Sequence, residues 1–431
     1  MTAQSANADI NHSGKAARSK SATSSEPCPI MRECGGCEWL NLPYKKQLVR
    51  KQAAMEELFG PLIERFSWDV AIEDIVPMGA LPGEPPATEG RLASPRAFRY
   101  KAATPFAPSP HGRAIRSGFY ARGTHDIVAC RKCAVEAPGA RRILNGTARA
   151  AERLHLPAYN EDRQSGILRH AIVRLGWRTD EAMLTVVTSQ RLLPREQELV
   201  DELQRLDRRI VCVAQNINPL RTNAILGGET RVLAGRPRMA DELLGCRFEI
   251  SPTAFYQTNP AQTEVLYRLA IEGMGLDDGD LLLDAYCGIG TIGICAARAA
   301  AESDLVVQVV GVERNAEGVR DAQRNARLNG LEGTCRFVCG DATRSMERAA
   351  AEGLPVSVVV LDPPRAGATE RFLAAATSLA PRRIVYISCN PTTQARDLEV
   401  LGRSGWQPRR ITPVDMFPHT SHVETVAVLE Q

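Results

Sequence analysis

LLLDAYCGIGTIG, residues 281–293, is the stretch from which the fold can be read. Three leucines and an aspartate read as a strand over 281–285, Tyr286 to Gly290 as a turn, and the Ile- and Ala-rich continuation as a helix. Glycines at 288, 290 and 293 let a ligand approach the backbone, and the free amides of a helix N-terminus favour a nucleotide-like group. A glycine-rich turn alone is a weak signal, so its neighbours matter. The next expected strand, 309–313, ends in Glu313, whose carboxylate can accept both ribose hydroxyls of a nucleoside. A third, 336–340, is followed by Asp341, placed to meet the base. Further strands over 356–362, 383–388 and 422–429 alternate with helical stretches, which predicts a doubly wound α/β sheet over 251–431.

The chain ahead of residue 251 has another texture. Residues 1–26 are Ser- and Ala-rich and low in apolar content, which predicts a disordered tail. Tyr44 to Phe59 carries Leu48, Met55, Leu58 and Phe59 at helical spacing. From 68 to about 250, β-type runs such as AIVRLGW (171–177) and AMLTVVTSQ (182–190) alternate with turns, with one helix around 194–206, so an α+β unit over 27–250 is expected. Pro-Gly-Glu-Pro-Pro at 82–86 reads as a surface loop.

A formal charge of +3 over 431 residues neither demands nor excludes a nucleic acid. Its distribution says more: eleven Lys/Arg lie between Arg91 and Arg142 against two acids, Asp126 and Glu136, a block that suits a phosphate backbone or a solvated face. No apolar run reaches the roughly 20 residues of a membrane helix, and no signal peptide is evident, so a cytoplasmic location is expected. Twelve cysteines in such a chain point to metal or thiol chemistry rather than disulfides. No obligate protein partner is evident.

Two of the expected strand ends carry reactive groups. Asp362 opens Asp-Pro-Pro-Arg at the carboxyl edge of the sheet, where ligands bind. Cys389, in ISCNPTTQARDL, ends the 383–388 strand at the same edge and is followed by a Pro-containing turn that exposes its sulfur. A free cysteine taken alone is most often a small buried hydrophobe. Beside this pocket it reads as a nucleophile: a thiolate adding to carbon 6 of a uracil makes carbon 5 able to attack an electrophilic methyl group. The carbon 5 proton must then leave, which requires a base, and Glu424 on the last strand is the candidate. Cys287 lies in the pocket without a task, and Cys212, Cys246, Cys295, Cys335 and Cys339 read as packing residues.

SPTAFYQTN (251–259), LLLDAYCGIGTIG, VVGVERN (309–315), VLDPPRAG (360–367), YISCNPTTQARDL (386–398) and DMFPHTSHVETV (415–426) occur in the order found in the bacterial RNA (uracil-5-)-methyltransferases, and the chain resembles that family from about Cys28 to its end. The resemblance implies a Rossmann-like class I methyltransferase domain over 251–431, with Gln257, Tyr286, Glu313 and Asp362 contacting S-adenosylmethionine. It implies Cys389 as the nucleophile and Glu424 as the base in forming 5-methyluridine. An amino-methylating enzyme would need no such thiol, and a non-enzymatic iron–sulfur RNA-binding protein would need no intact pocket.

Cys28, Cys34 and Cys37 stand as C-x5-C-x2-C, and CRKC adds Cys130 and Cys133. Such thiols can hold zinc or an iron–sulfur cluster. The family resemblance implies a four-iron four-sulfur (4Fe-4S) cluster on Cys28, Cys34, Cys37 and, ahead of the AVEAP segment, Cys133. RNA is the expected partner. Residues 98–102 (FRYKA), Arg116, Phe119, Tyr120 and Arg122 offer charge and stacking faces for a base taken out of its helix. The short N-terminal tail in place of a β-barrel domain, together with DMFPHT, favours 23S ribosomal RNA over transfer RNA as the substrate.

Overall fold

Residues 28–79, 95–110 and 114–431 are described by a computed structural model. The expected tail over 1–26, the 82–86 loop and Arg91 lie outside the described residues. In chain order, helix α1 (Tyr44–Phe66) is followed by strands β1 (Lys101–Pro108), β2 (Ile115–Tyr120) and β3 (Ile127–Ala129), helix α2 (Ala140–Arg153), strands β4 (Leu168–Leu175) and β5 (Ala182–Thr188), helix α3 (Glu196–Gln204), and strands β6 (Ile210–Ile217), β7 (Glu229–Gly235), β8 (Met239–Leu243) and β9 (Cys246–Ile250). Then come α4 (Pro260–Met274), β10 (Leu281–Ala285), α5 (Thr291–Glu302), β11 (Gln308–Glu313), α6 (Ala316–Leu328), β12 (Cys335–Cys339), α7 (Ala342–Ala351), β13 (Val358–Leu361), α8 (Glu370–Ser378), β14 (Arg383–Ser388), α9 (Pro391–Arg403), β15 (Gln407–Val414) and β16 (Glu424–Glu430).

The second half is the expected doubly wound α/β sheet, in the order β12-β11-β10-β13-β14-β16-β15. Its five parallel strands are connected through helices, so central strands such as β13 are buried on both faces and read as unbroken apolar runs. Strand order reverses between β10 and β13, which opens a crevice at their carboxyl ends. β16 runs antiparallel to β14, with Thr425 opposite Ser388. That register sets the first residue of β16 beside the residue following β14.

The first half forms a second seven-stranded sheet, β3-β2-β1-β4-β5-β6-β7, antiparallel except for β5 and β6, which α3 joins. α2 and α3 bury Ile143, Leu144, Leu199 and Leu203 against Ala171, Val173, Leu184 and Val213. α2 was not expected from the sequence. It is rich in Arg and Ala, and its buried stripe is made largely of alanines that carry little apolar signal.

α1 runs past the expected end at Phe59 to Phe66, through Pro61. An interior proline costs about 3 kcal/mol, whereas each large apolar side chain buried contributes roughly 1.5–3 kcal/mol. Leu48, Met55, Phe59 and Leu62 share one core with Phe372, Leu398, Leu401 and Trp406 of the second half. Residues 72 and 76 bridge to Ile411 and Val414 of β15. α1, grouped by sequence with residues 27–250, thus packs on the second sheet and forms one wall of its crevice.

Candidate active site

The turn after β10 is shaped from within. Asp284 is fully buried, and its Oδ2 accepts the Gly293 amide at 2.9 Å, tying the strand end to the first turn of α5. Burial above all, then the nearby Asp362 and Glu313, pushes this carboxyl up to about 7. Tyr286 holds φ +64, a left-handed conformation that a bulky residue adopts only under constraint, and its half-buried ring lies against Phe372. Gly290, at φ +82, could not carry a side chain, because a Cβ there would stand 2.8 Å from the Phe337 ring.

Strand register brings the expected ligand residues to one edge. Ala285 pairs with Val312 and with Leu361, so Tyr286, Glu313 and Asp362 follow three neighbouring strand positions. Glu313 accepts the amides of Gly288 at 3.2 Å and Asn315 at 2.7 Å. Asp341 caps α7 by accepting the Arg344 amide. Gln257 is half-buried on the segment before α4, which Arg174 anchors by donating to the carbonyls of Tyr256 and Ala254.

Cys389 is half-buried and lines a cleft of about 540 Å³ with Arg365, Asn390, His422 and, from α1, Ala54 and Leu58. Glu424 is 2% exposed, and its Oε2 has no partner among the described residues. Burial raises the Cys389 thiol, the charges of Glu424 and Asp362 raise it further, and Arg365, within hydrogen-bonding reach, opposes them. Burial also lifts Glu424 well above the carboxylate range, with Asp362 adding and Arg365 opposing, and lifts Asp362 to about 7. A thiol, two carboxyls and one guanidinium therefore share a desolvated site in which small changes of charge move protons.

Arg365 and His422 were quoted in the sequence motifs without a role. The Arg365 Nη2 lies 3.4 Å from His422 Nε2, and its carbonyl accepts from Asn390 Nδ2 at 2.9 Å, clasping the Asp-Pro-Pro-Arg turn to the residue after Cys389. The signal for His422 was its place two residues before Glu424, an even spacing that keeps both on one face of an extended chain.

Five cysteines of the first half converge. Cys28, Cys34, Cys37, Cys130 and Cys133 line one cavity of about 210 Å³ with Arg99, Lys101, Phe119 and Glu136. Cys34 bridges to Ala121, and Arg122 donates to the Cys37 carbonyl at 2.7 Å. Burial pushes Cys37 and Cys130 up to about 12. No three His, Cys, Asp or Glu side chains among the described residues are drawn together into a ready metal-ligand set. Much of the basic block turns inward here. Arg141 is buried, paired with Glu136, and stacks 4.4 Å over Phe119, whose half-buried ring lines both the cysteine cavity and the surface groove beside Tyr120 and Arg122. Tyr120 packs edge-on against His125. Cys339, expected as a packing residue, is exposed because β12 is the edge strand and its last residue faces out.

Residues 238–431 match the family model described as tRNA (uracil-5-)-methyltransferase. A protein of Halalkalibacterium halodurans described as an uncharacterized RNA methyltransferase is 36% identical over 404 residues, which cover 94% of this chain and 83% of that protein. One of Staphylococcus aureus, described likewise, is 36% identical over 403 residues, with 93% and 83% covered. Among solved structures, the Pyrococcus abyssi tRNA (uracil-54, C5)-methyltransferase in complex with S-adenosyl-L-homocysteine superposes with a TM-score of 0.69 at 25% identity, covering 94% of this chain and 87% of that one.

Proposed function

The chain belongs to the RNA methyltransferase family of the (uracil-5-) type, and on that premise we propose that it methylates carbon 5 of a uridine in structured RNA through a covalent bond between Cys389 and carbon 6. S-adenosylmethionine, when bound, supplies the electrophilic methyl group. Gln257, Tyr286, Glu313 and Asp362 hold it at the crevice. Arg365 favours the thiolate form of Cys389, which adds to carbon 6 and pushes electrons to carbon 5. Carbon 5 takes the methyl group with S-adenosylhomocysteine as the leaving group, Glu424 removes the carbon 5 proton, and the sulfur–carbon bond breaks to release 5-methyluridine and free thiolate.

The observation that carries this reading is the β14–β16 register, which sets the buried Glu424 beside Cys389 at the strand ends. Burial, with Asp362 adding, favours the protonated form of Glu424, and Arg365 is the nearby cation that favours loss of that proton. Cys28, Cys34, Cys37 and Cys133 are proposed to hold a 4Fe-4S cluster. The donor set supports this: five thiols around one cavity, with Arg99, Lys101 and Arg141 near to balance a thiolate-bound group of negative charge. Such a cluster would tie the 28–37 segment to the strand region before α2.

The resemblance of the 415–426 segment supports 23S ribosomal RNA, while the substrate named for the Pyrococcus abyssi enzyme favours transfer RNA. Mass-spectrometric mapping of 5-methyluridine in both RNAs, from cells with and without the gene, decides between them. Loss of the mark from one RNA, restored by the wild-type chain but not by Cys389→Ser, is expected. Restoration by Cys389→Ser would remove the covalent route.

A further inference from the structure

Three side chains on one face of α1 reach beneath the segment that leads into Glu424. Tyr44, Gln47 and Lys51 are spaced i, i+3 and i+7, so they line one stripe of the helix. Lys51 is 1% exposed, and its ammonium group spends all three protons on this segment: on Asp415 Oδ1 at 2.6 Å, the Phe417 carbonyl at 3.1 Å and the His422 carbonyl at 2.7 Å. Tyr44 donates to the other Asp415 oxygen at 2.7 Å. Gln47 accepts the His419 amide through its Oε1 at 2.8 Å and donates to the carbonyls of Trp39 and Leu42. The His419 carbonyl in turn accepts the amides of Glu38 and Trp39, both at 2.9 Å.

A buried ion pair is a poor way to stabilise a protein, because desolvating both charges offsets most of their attraction, and an apolar side chain of similar size would serve the core as well. What an apolar side chain lacks is direction. Two of the three Lys51 bonds go to main-chain carbonyls, and one of these belongs to His422, whose ring faces Arg365 and which stands two residues before Glu424. Residues 416–421 form a turn that the Lys51 bonds to Phe417 and His422 span, and a one-residue slip there would turn Glu424 to the opposite face of β16.

We infer that Lys51 is a positioning residue for the reaction: it holds the 417–422 backbone so that His422 meets Arg365 and Glu424 enters β16 facing Cys389. This rests on the assignment of Cys389 and Glu424 made above. Lys51 touches no reacting atom, and its effect falls on the step that needs Glu424 in place. Misplacement of a catalytic group by about 1 Å can cost on the order of 100-fold in rate.

The test compares Lys51→Met with wild type for S-adenosylmethionine binding by calorimetry, for steady-state turnover, and for RNA–protein adduct on denaturing gels. Binding within about threefold of wild type is expected, with kcat reduced about 100-fold and adduct accumulating because methyl transfer outruns proton removal. Turnover within about threefold of wild type would overturn the inference, as would a parallel loss of cofactor binding and turnover, which marks a general structural role. Should Lys51→Met not fold, Lys51→Met/Asp415→Leu removes both buried charges. Slow turnover in that folded double variant supports positioning, and recovered turnover, or failure of both variants to fold, overturns it. Glu424→Gln run alongside separates the two readings: if it turns over normally, the base assignment fails whatever Lys51 does.

Discussion

In the proposed reaction, the Cys389 thiol is set between one cation and two acids. Arg365 favours the ionised forms of both Cys389 and Glu424, while burial and Asp362 oppose ionisation. A desolvated acid keeps its proton to higher pH, so both reacting groups are neutral on the acid side and become active as pH rises. The rate profile should therefore show a rising limb that lies above neutrality. Removing the guanidinium in Arg365→Met withdraws the influence that lowers both groups, so the limb should move to higher pH and kcat should fall by about 100-fold, within the range of a lost electrostatic stabiliser. A limb that stays in place would show that Arg365 does not act on their protons. Glu424→Gln should still form the sulfur–carbon 6 bond and transfer methyl, since neither step consumes a base at carbon 5. It should then accumulate a covalent adduct that survives denaturation, and a variant that releases product at the wild-type rate would take Glu424 out of this role.

The element that builds the site is the strand end, and strand ends were legible because their apolar runs stop at charged or small residues. β10 and β14 begin and end where the runs LLLDA and RIVYIS do, and each puts its next residues, Tyr286 and Cys389, at the ligand edge. What the sequence concealed had local causes. β15 carries Pro408 and Pro413, which an edge strand tolerates and a central strand does not, so its composition argued against a strand. α2 hides its buried face in alanines, and the role of α1 as a wall of the cleft depends on contacts between residues more than 300 positions apart, such as Lys51 and Asp415. Asp284 stands in the LLLDA run ahead of the glycine-rich turn, and its bond to Gly293 makes it the brace of the β10–α5 turn. Its folded state holds a proton up to about 7 against an ordinary value of 3.8. Between those values the unfolded chain is ionised and the folded chain is not, so rising pH favours unfolding, and the loss is complete above about 7. Asp284→Asn cannot ionise. Chemical denaturation of the ligand-free protein should show the variant gaining on wild type by roughly 2–4 kcal/mol between pH 4 and 7, with no further gain above. Parallel stability curves would place the carboxyl at its ordinary value.

Across the whole molecule, the two sheets share one apolar core that holds Met183, Cys212 and Ala214 together with Leu282 and Val358, and the 28–66 segment adds three thiols to one cavity and α1 to the other sheet's crevice. This divides the basic block by place. Arg99, Lys101 and Arg141 surround the cysteines, whereas Arg122 and Arg131 are exposed. A cation balancing a buried thiolate-bound group and a cation meeting phosphate leave different traces, because only the second releases counterions and adds to the salt dependence of RNA binding. Arg131→Glu should thus weaken RNA binding, flatten its dependence on salt by about one unit of slope, and leave iron content untouched. Arg99→Gln should lower iron content in the purified protein with little change in slope. Among the thiols, Cys133→Ala should lose iron and its visible absorbance while Cys130→Ala keeps both, since Cys130 is anchored by its own backbone to Ser117 and Asn145 without needing a metal. Iron retained in Cys133→Ala and lost in Cys130→Ala would exchange the two. Full iron in both, or none in the wild-type protein purified without oxygen, would remove the cluster from the cavity and leave its five thiols needing another occupant.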